Sequence, residues 1–104
     1  MGQFNKQDTL ILVALESELP KESVPQWNVQ YIGVGKVNAA LAVCRFSQKF
    51  KPKVILNFGT AGSLRDDLTG LVEATSFCQR DMDARAMGFL LGQTPVEDDN
   101  CIAF

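Results

Sequence analysis

The chain contains no histidine. Ser-His and Cys-His nucleophilic schemes are therefore excluded, because both need an imidazole base, and so is any His-ligated metal. Three cysteines, Cys44, Cys78 and Cys101, are an odd number with no C-x-x-C spacing. They read as buried free thiols of a reducing cytosol, and no metal site is implied. There is no basic block, and the formal net charge is −2, which argues against a nucleic-acid-binding surface. No apolar run is long enough to span a bilayer. The start, MGQFNKQD, is polar and lacks signal-peptide character. Internal repeats and low-complexity segments are absent. Any chemistry must be carried by carboxylates, hydroxyls and backbone amides.

What is present is a globular composition, 46% hydrophobic and 21% charged. With 104 residues there is room for a single domain, 1–104, with an adequate core. The chain is organised around Val54–Leu64, VILNFGTAGSL. Val54, Ile55, Leu56 and Phe58 predict a strand buried on both faces, as in a parallel sheet covered by helices. Gly59 and Gly62 follow, with Thr60 and Ser63 offering hydroxyls. Ligands of open α/β sheets sit at the carboxyl ends of strands, where this turn lies. An ordinary strand-to-loop turn would look the same. Thr9–Leu15 predicts a second buried strand, which ends in Glu16, Ser17 and Glu18. Carboxylates there stand where α/β enzymes place catalytic groups. They would equally suit the first turn of a helix, at the positive end of its dipole.

Residues 1–8 read as a loose lead-in and 20–27 as a loop. Asn28–Val34 predicts a third strand, and Gly33-Val34-Gly35-Lys36 turns it into a helix. In that helix Val37, Ala40, Leu41, Cys44 and Gln48 share one stripe, widened by Val43, Phe46 and Phe50. Pro52 stops it. GVGK is not a phosphate-binding loop, because Gln30 stands where the first glycine is needed and no Ser or Thr follows Lys36. Asn38 spoils the dinucleotide fingerprint as well. Leu64–Gly70 reads as a polar loop and Leu71–Cys78 as a fourth strand. The order β–β–α–β–loop–β defines an α/β class with a mixed sheet. One helix cannot cover both faces of such strands, so covering helices are missing.

Four segments, VALESELP, GVGKVNAALAV, KPKVILNFGTAGSL and DMDARAMGFLLGQTP, taken in this order, resemble the nucleoside phosphorylase/nucleosidase superfamily. Within it the resemblance is closest to the 5′-methylthioadenosine/S-adenosylhomocysteine nucleosidases, and it covers Leu10–Pro95. It implies a phosphorylase-like mixed sheet with flanking helices. It also implies a cytoplasmic homodimer or higher homo-oligomer that hydrolyses a purine nucleoside, with no cofactor or metal and no membrane or nucleic-acid partner. By the resemblance, Glu18 holds the attacking water. Leu15 and Val34 line the ribose side, and Thr60, Ala61 and Gly62 contact the ribose and the nucleophile. Met87 and Pro95 lie on a loop closing the neighbouring subunit's pocket over the 5′ substituent.

Family members are roughly twice as long. By the resemblance, the absent half holds the base-binding segment, a ribose-binding glutamate and the acid that protonates the purine. The chain thus reads as an N-terminal half, inactive alone. Arg80 stands where a histidine is often found before the aspartates, and the segment between Glu18 and Tyr31 is shortened. Phosphorylases of the superfamily place arginines around phosphate, where this chain has Glu18 and Asn57. A purine or uridine nucleoside phosphorylase is the alternative enzyme. A non-catalytic half-domain acting in assembly is the alternative from another class.

Overall fold

The structure is a computed structural model that describes residues 4–103. It divides into two compact units, Met1–Gly62 and Ser63–Phe104.

The first unit is built on a three-stranded parallel sheet in the order β2-β1-β3. β1 is Thr9–Val13, β2 is Asn28–Tyr31 and β3 is Val54–Asn57. All five residues of β1 are buried, as expected of a central strand with apolar side chains on both faces. Ile11 and Val13 on one face form a cluster with Val29 of β2, against which Leu19, Val24, Trp27, Tyr31 and Phe58 pack. The loop between β1 and β2 thus covers that face without a helix, using short 3-10 turns at Glu16–Glu18 and Lys21–Ser23. By strand alternation, Leu10 and Leu12 occupy the opposite face.

β2 passes to β3 through the helix α1, Lys36–Phe50. Its entry requires Gly33 and Gly35, at φ +81° and +103°. A Cβ on Gly33 would come within 2.9 Å of the Asn38 amide nitrogen, which itself donates to the Val34 carbonyl. The helix leaves through Lys51 in the left-handed region, one residue before Pro52.

Three expectations change here. The covered side of α1 is Ala39, Ala42, Phe46 and Phe50, whereas Val37, Ala40, Leu41, Cys44 and Gln48 face outward. The helix is apolar on two sides, and the small residues form the close-approaching one. β3 is only half-buried, and Leu56 is 49% exposed, because β3 is an edge strand. The cysteines are not buried free thiols: Cys44 is exposed, and Cys78 and Cys101 form a disulfide.

The second unit is mostly irregular. Only Ser76–Cys78 of the fourth predicted strand is extended, and this strand, β4, pairs antiparallel with β5, Cys101–Ala103. Overall the class is α/β, with a parallel sheet and one α-helix among the described residues. No helix among them is long and apolar enough to cross a membrane.

The fold generates a stability contrast. Leu10 is fully buried and Val37 is 74% exposed. Leu10→Ala should cost about 2–5 kcal/mol of folding free energy, and Val37→Ala should stay within about 0.5 kcal/mol. Urea midpoints of the two variants check this, and equal shifts would contradict the burial pattern.

Candidate active site

Parallel pairing brings the carboxyl ends of β1, β2 and β3 to one edge of the sheet. The ladder extends past the strands: Ile32 N donates to Val13 O (2.9 Å), Gly33 N to Ala14 O (3.1 Å) and Phe58 N to Leu12 O (3.0 Å). Three turns therefore leave the sheet side by side, at Leu15–Glu18, Gly33–Gly35 and Phe58–Gly62.

Glu18 lies in the first of these turns. Its own amide donates to Leu15 O (3.0 Å), which closes the 3-10 turn. Its carboxylate reaches back, and Oε2 accepts from Leu15 N at 3.0 Å. The other oxygen, Oε1, accepts from Thr60 N at 3.1 Å and from Thr60 Oγ1 at 2.8 Å. One carboxylate thus spans the turns that follow β1 and β3. Behind it, Tyr31 Oη donates to Leu19 O at 2.7 Å and ties the chain after Glu18 to β2.

These donors favour the charged form of Glu18. Its pKa lies below the ordinary 4.5, with the Thr60 hydroxyl the largest cause, followed by the Leu15 amide. Oε1 carries two hydrogen bonds, both from Thr60, and Oε2 carries one, from Leu15 N, while the Ala14 amide adds a smaller pull on the same carboxylate. Thr60 has donated its single hydroxyl proton to Glu18, so its hydroxyl meets a ligand only as an acceptor. Gly59 lies beside Oε1, where an added Cβ would stand at 3.5 Å, an ordinary contact.

The residues expected in the site fall into two groups. Glu18, Leu15 and Thr60 are joined by hydrogen bonds. Ala61 and Gly62 continue the Thr60 turn and are exposed, and Val34 is 67% exposed in the turn after β2. Met87 and Pro95 belong to the second unit, where Met87 is exposed at the end of a 3-10 turn, Arg85–Met87, and Pro95 is half-buried. In the same unit Asp83 is held at about 2, chiefly by the Arg85 guanidinium bound to it at 2.7 and 2.8 Å. An acid so firmly ionised is a poor proton donor near neutrality. Two contributors escaped the sequence reading. The Leu15 amide, rather than its side chain, touches the carboxylate, and Tyr31 braces the following loop. Backbone groups leave no residue-type signal, and both the Leu15 amide and the Leu19 carbonyl that accepts from Tyr31 are backbone groups.

A parallel sheet with its acidic and glycine-rich turns at one edge is the frame of an α/β fold. Residues 24–101 match the Phosphorylase superfamily, so the chain belongs to that superfamily. Over 65 residues it is 42% identical to the 5′-methylthioadenosine/S-adenosylhomocysteine nucleosidase of Staphylococcus haemolyticus (strain JCSC1435). It is 43% identical to that of Staphylococcus carnosus (strain TM300). In both comparisons the shared stretch is 61% of this chain and 28% of the relative.

The clamp on Glu18 has a titration signature. Because the folded-state pKa is depressed, the stability it contributes is present above 4.5 and lost as pH falls through the lower folded value. Removing the hydroxyl in Thr60→Val should move the Glu18 carboxyl midpoint up toward 4.5, and Thr60→Ser should leave it low. Carbon-detected NMR titration of the Glu18 carboxyl reads both, and an unmoved midpoint in Thr60→Val would contradict the assignment.

Proposed function

We propose that the chain is part of a nucleosidase that hydrolyses the N-glycosidic bond of a purine nucleoside of the methylthioadenosine or adenosylhomocysteine kind. The observation that carries this reading is the ionised Glu18 carboxylate, clamped between the turns after β1 and β3 by donors from both. Its Oε2, with fewer hydrogen bonds than Oε1, suits a water O–H. Breaking the glycosidic bond leaves an oxocarbenium-like sugar, electrophilic enough to accept a weakly activated nucleophile. A carboxylate of lowered pKa serves such a step, since its main task is to aim the water and take a proton as the new C–O bond forms. The purine leaves with the bond's electron pair and takes up a proton from an acid that these residues do not supply.

The same carboxylate argues against a phosphorylase. Phosphate would face a like charge at Glu18, with Asn57 rather than a guanidinium nearby to offset it. In this reading Thr60, Ala61 and Gly62 hold the ribose and the water, and Leu15 and Val34 line the sugar side. Met87 and Pro95 close over the 5′ group in a neighbouring subunit. Residues 1–104 are read as part of one nucleosidase-type domain of a cytoplasmic homo-oligomer. Supporting the oligomer, large apolar side chains lie open in both units, Leu41 and Leu56 in the first and Leu64 and Leu71 in the second. No cofactor is called for.

Two outcomes are expected. The isolated chain should release no measurable adenine from methylthioadenosine, because general acid catalysis of about 10² to 10⁴-fold is absent. Combined with the complementary remainder of a nucleosidase relative, it should release adenine and free sugar without phosphate. Glu18→Gln should abolish that release while leaving nucleoside binding nearly intact. Chromatography of the products decides the class: strict phosphate dependence with a sugar 1-phosphate product would overturn the hydrolase reading. Absence of nucleoside affinity in the combined enzyme would favour a purely assembling half-domain.

A further inference from the structure

The second unit has little interior. Among its described residues only Ala84 and Gly92 are buried, and β4 and β5 pair over three residues each. So short a pairing is not stable alone in water. Cys78 stands directly opposite Cys101 in that ladder, with Cα atoms 4.4 Å apart, and the two sulfurs are bonded. The bond closes a loop over residues 79–100.

That loop is folded upon itself. Met82 N donates to Gln79 O (3.2 Å) and Gly92 N to Met82 O (2.7 Å). Asp83 and Leu91 form an isolated antiparallel bridge. The Gln79 side-chain amide donates to Thr94 Oγ1 at 2.9 Å. Gly92, at φ +84°, sits where an added Cβ would lie 3.3 Å from the carbonyl oxygens of both Gln79 and Asn100. These two residues are the neighbours of the bonded cysteines. Each polar contact contributes modestly in an exposed setting. The covalent closure is thus the strongest constraint on the segment. Cys78 is exposed and Cys101 half-buried, so a thiol can reach the bond.

We propose that Cys78–Cys101 is a reversible redox tether that determines whether the segment Gln79–Asn100 is folded. Its reductant is a dithiol. One thiolate attacks a cysteine sulfur, breaks the S–S bond and forms a mixed disulfide, and the departing cysteine thiolate takes up a proton. The second thiol of the reductant then displaces the other cysteine. Two electrons and two protons pass to Cys78 and Cys101, and the dithiol becomes a disulfide. In a reducing compartment the bond is therefore the oxidised, transient state of a sensor, not a permanent staple. Met87 and Pro95 lie within the tethered segment, so substrate closure would follow the redox state. That consequence rests on the proposed function, and the tether does not.

The test uses the whole chain, air-oxidised or treated with a dithiol, in a Cys44→Ser background that removes the exposed third thiol. Thiol titration should find none in the oxidised protein and two after reduction. Hydrogen exchange at the Met82 and Gly92 amides should accelerate on the order of 10²-fold on reduction, as expected for opening a loop of this size. Exchange within Thr9–Val13 should not change. Adding Cys78→Ser and Cys101→Ser should reproduce the fast exchange under both conditions. Two titratable thiols in the oxidised chain would overturn the proposal. So would equal exchange in the two redox states, or slow exchange in the serine variant.

Discussion

The carboxylate of Glu18 bridges two turns that are 42 residues apart in the chain, and the sheet edge takes its form from that bridge. Without it, the glycine-rich turn after β3 would leave the sheet with small, exposed residues and little to hold it. With it, three N–H or O–H donors converge on one negative charge. The arrangement is possible because β1 and β3 are parallel neighbours, so their carboxyl ends coincide. Charge, turn and sheet topology are therefore one constraint. The chemistry proposed here follows from the charged carboxylate that the bridge holds at this edge.

The rest of the fold is unevenly protected. β1 is buried throughout, and Leu10, Val13 and Val29 have almost no solvent contact. Towards β3 and the outer side of α1 the apolar surface is open. A sheet of this kind normally has both faces covered by helices. The open surface is thus what an α/β fold presents where its covering layer is incomplete. The second unit, with little buried interior, relies on short pairing and the disulfide.

The α/β class was legible because periodicity speaks directly to strands and helices. β1 and α1 were found almost at their bounds, the first from an unbroken apolar run and the second from its glycine entry and proline exit. The half-burial of β3 was not legible, since an apolar run does not reveal whether a strand lies at the edge. The helix stripe was misread for a related reason. A helix apolar on two sides does not say which side is packed, and Ala39 and Ala42 gave a weaker hydrophobic signal than Val37 and Leu41. The cysteine pairing was hidden by sequence separation, because Cys78 and Cys101 meet only through the β4–β5 register. At the site, Glu18 and Thr60 were both singled out, but not their bond to each other. Neither periodicity nor spacing encodes a contact between two loops.

The account turns on the ionised Glu18 being held by donors from both turns. Amide proton shifts of Leu15 and Thr60, followed through the acid range in the intact chain, test this most directly. Both amides should move together with a single midpoint below 4.5, because each donates to the charged form of the same carboxylate. Flat amide shifts, or separate midpoints at unperturbed carboxylate values, would contradict it.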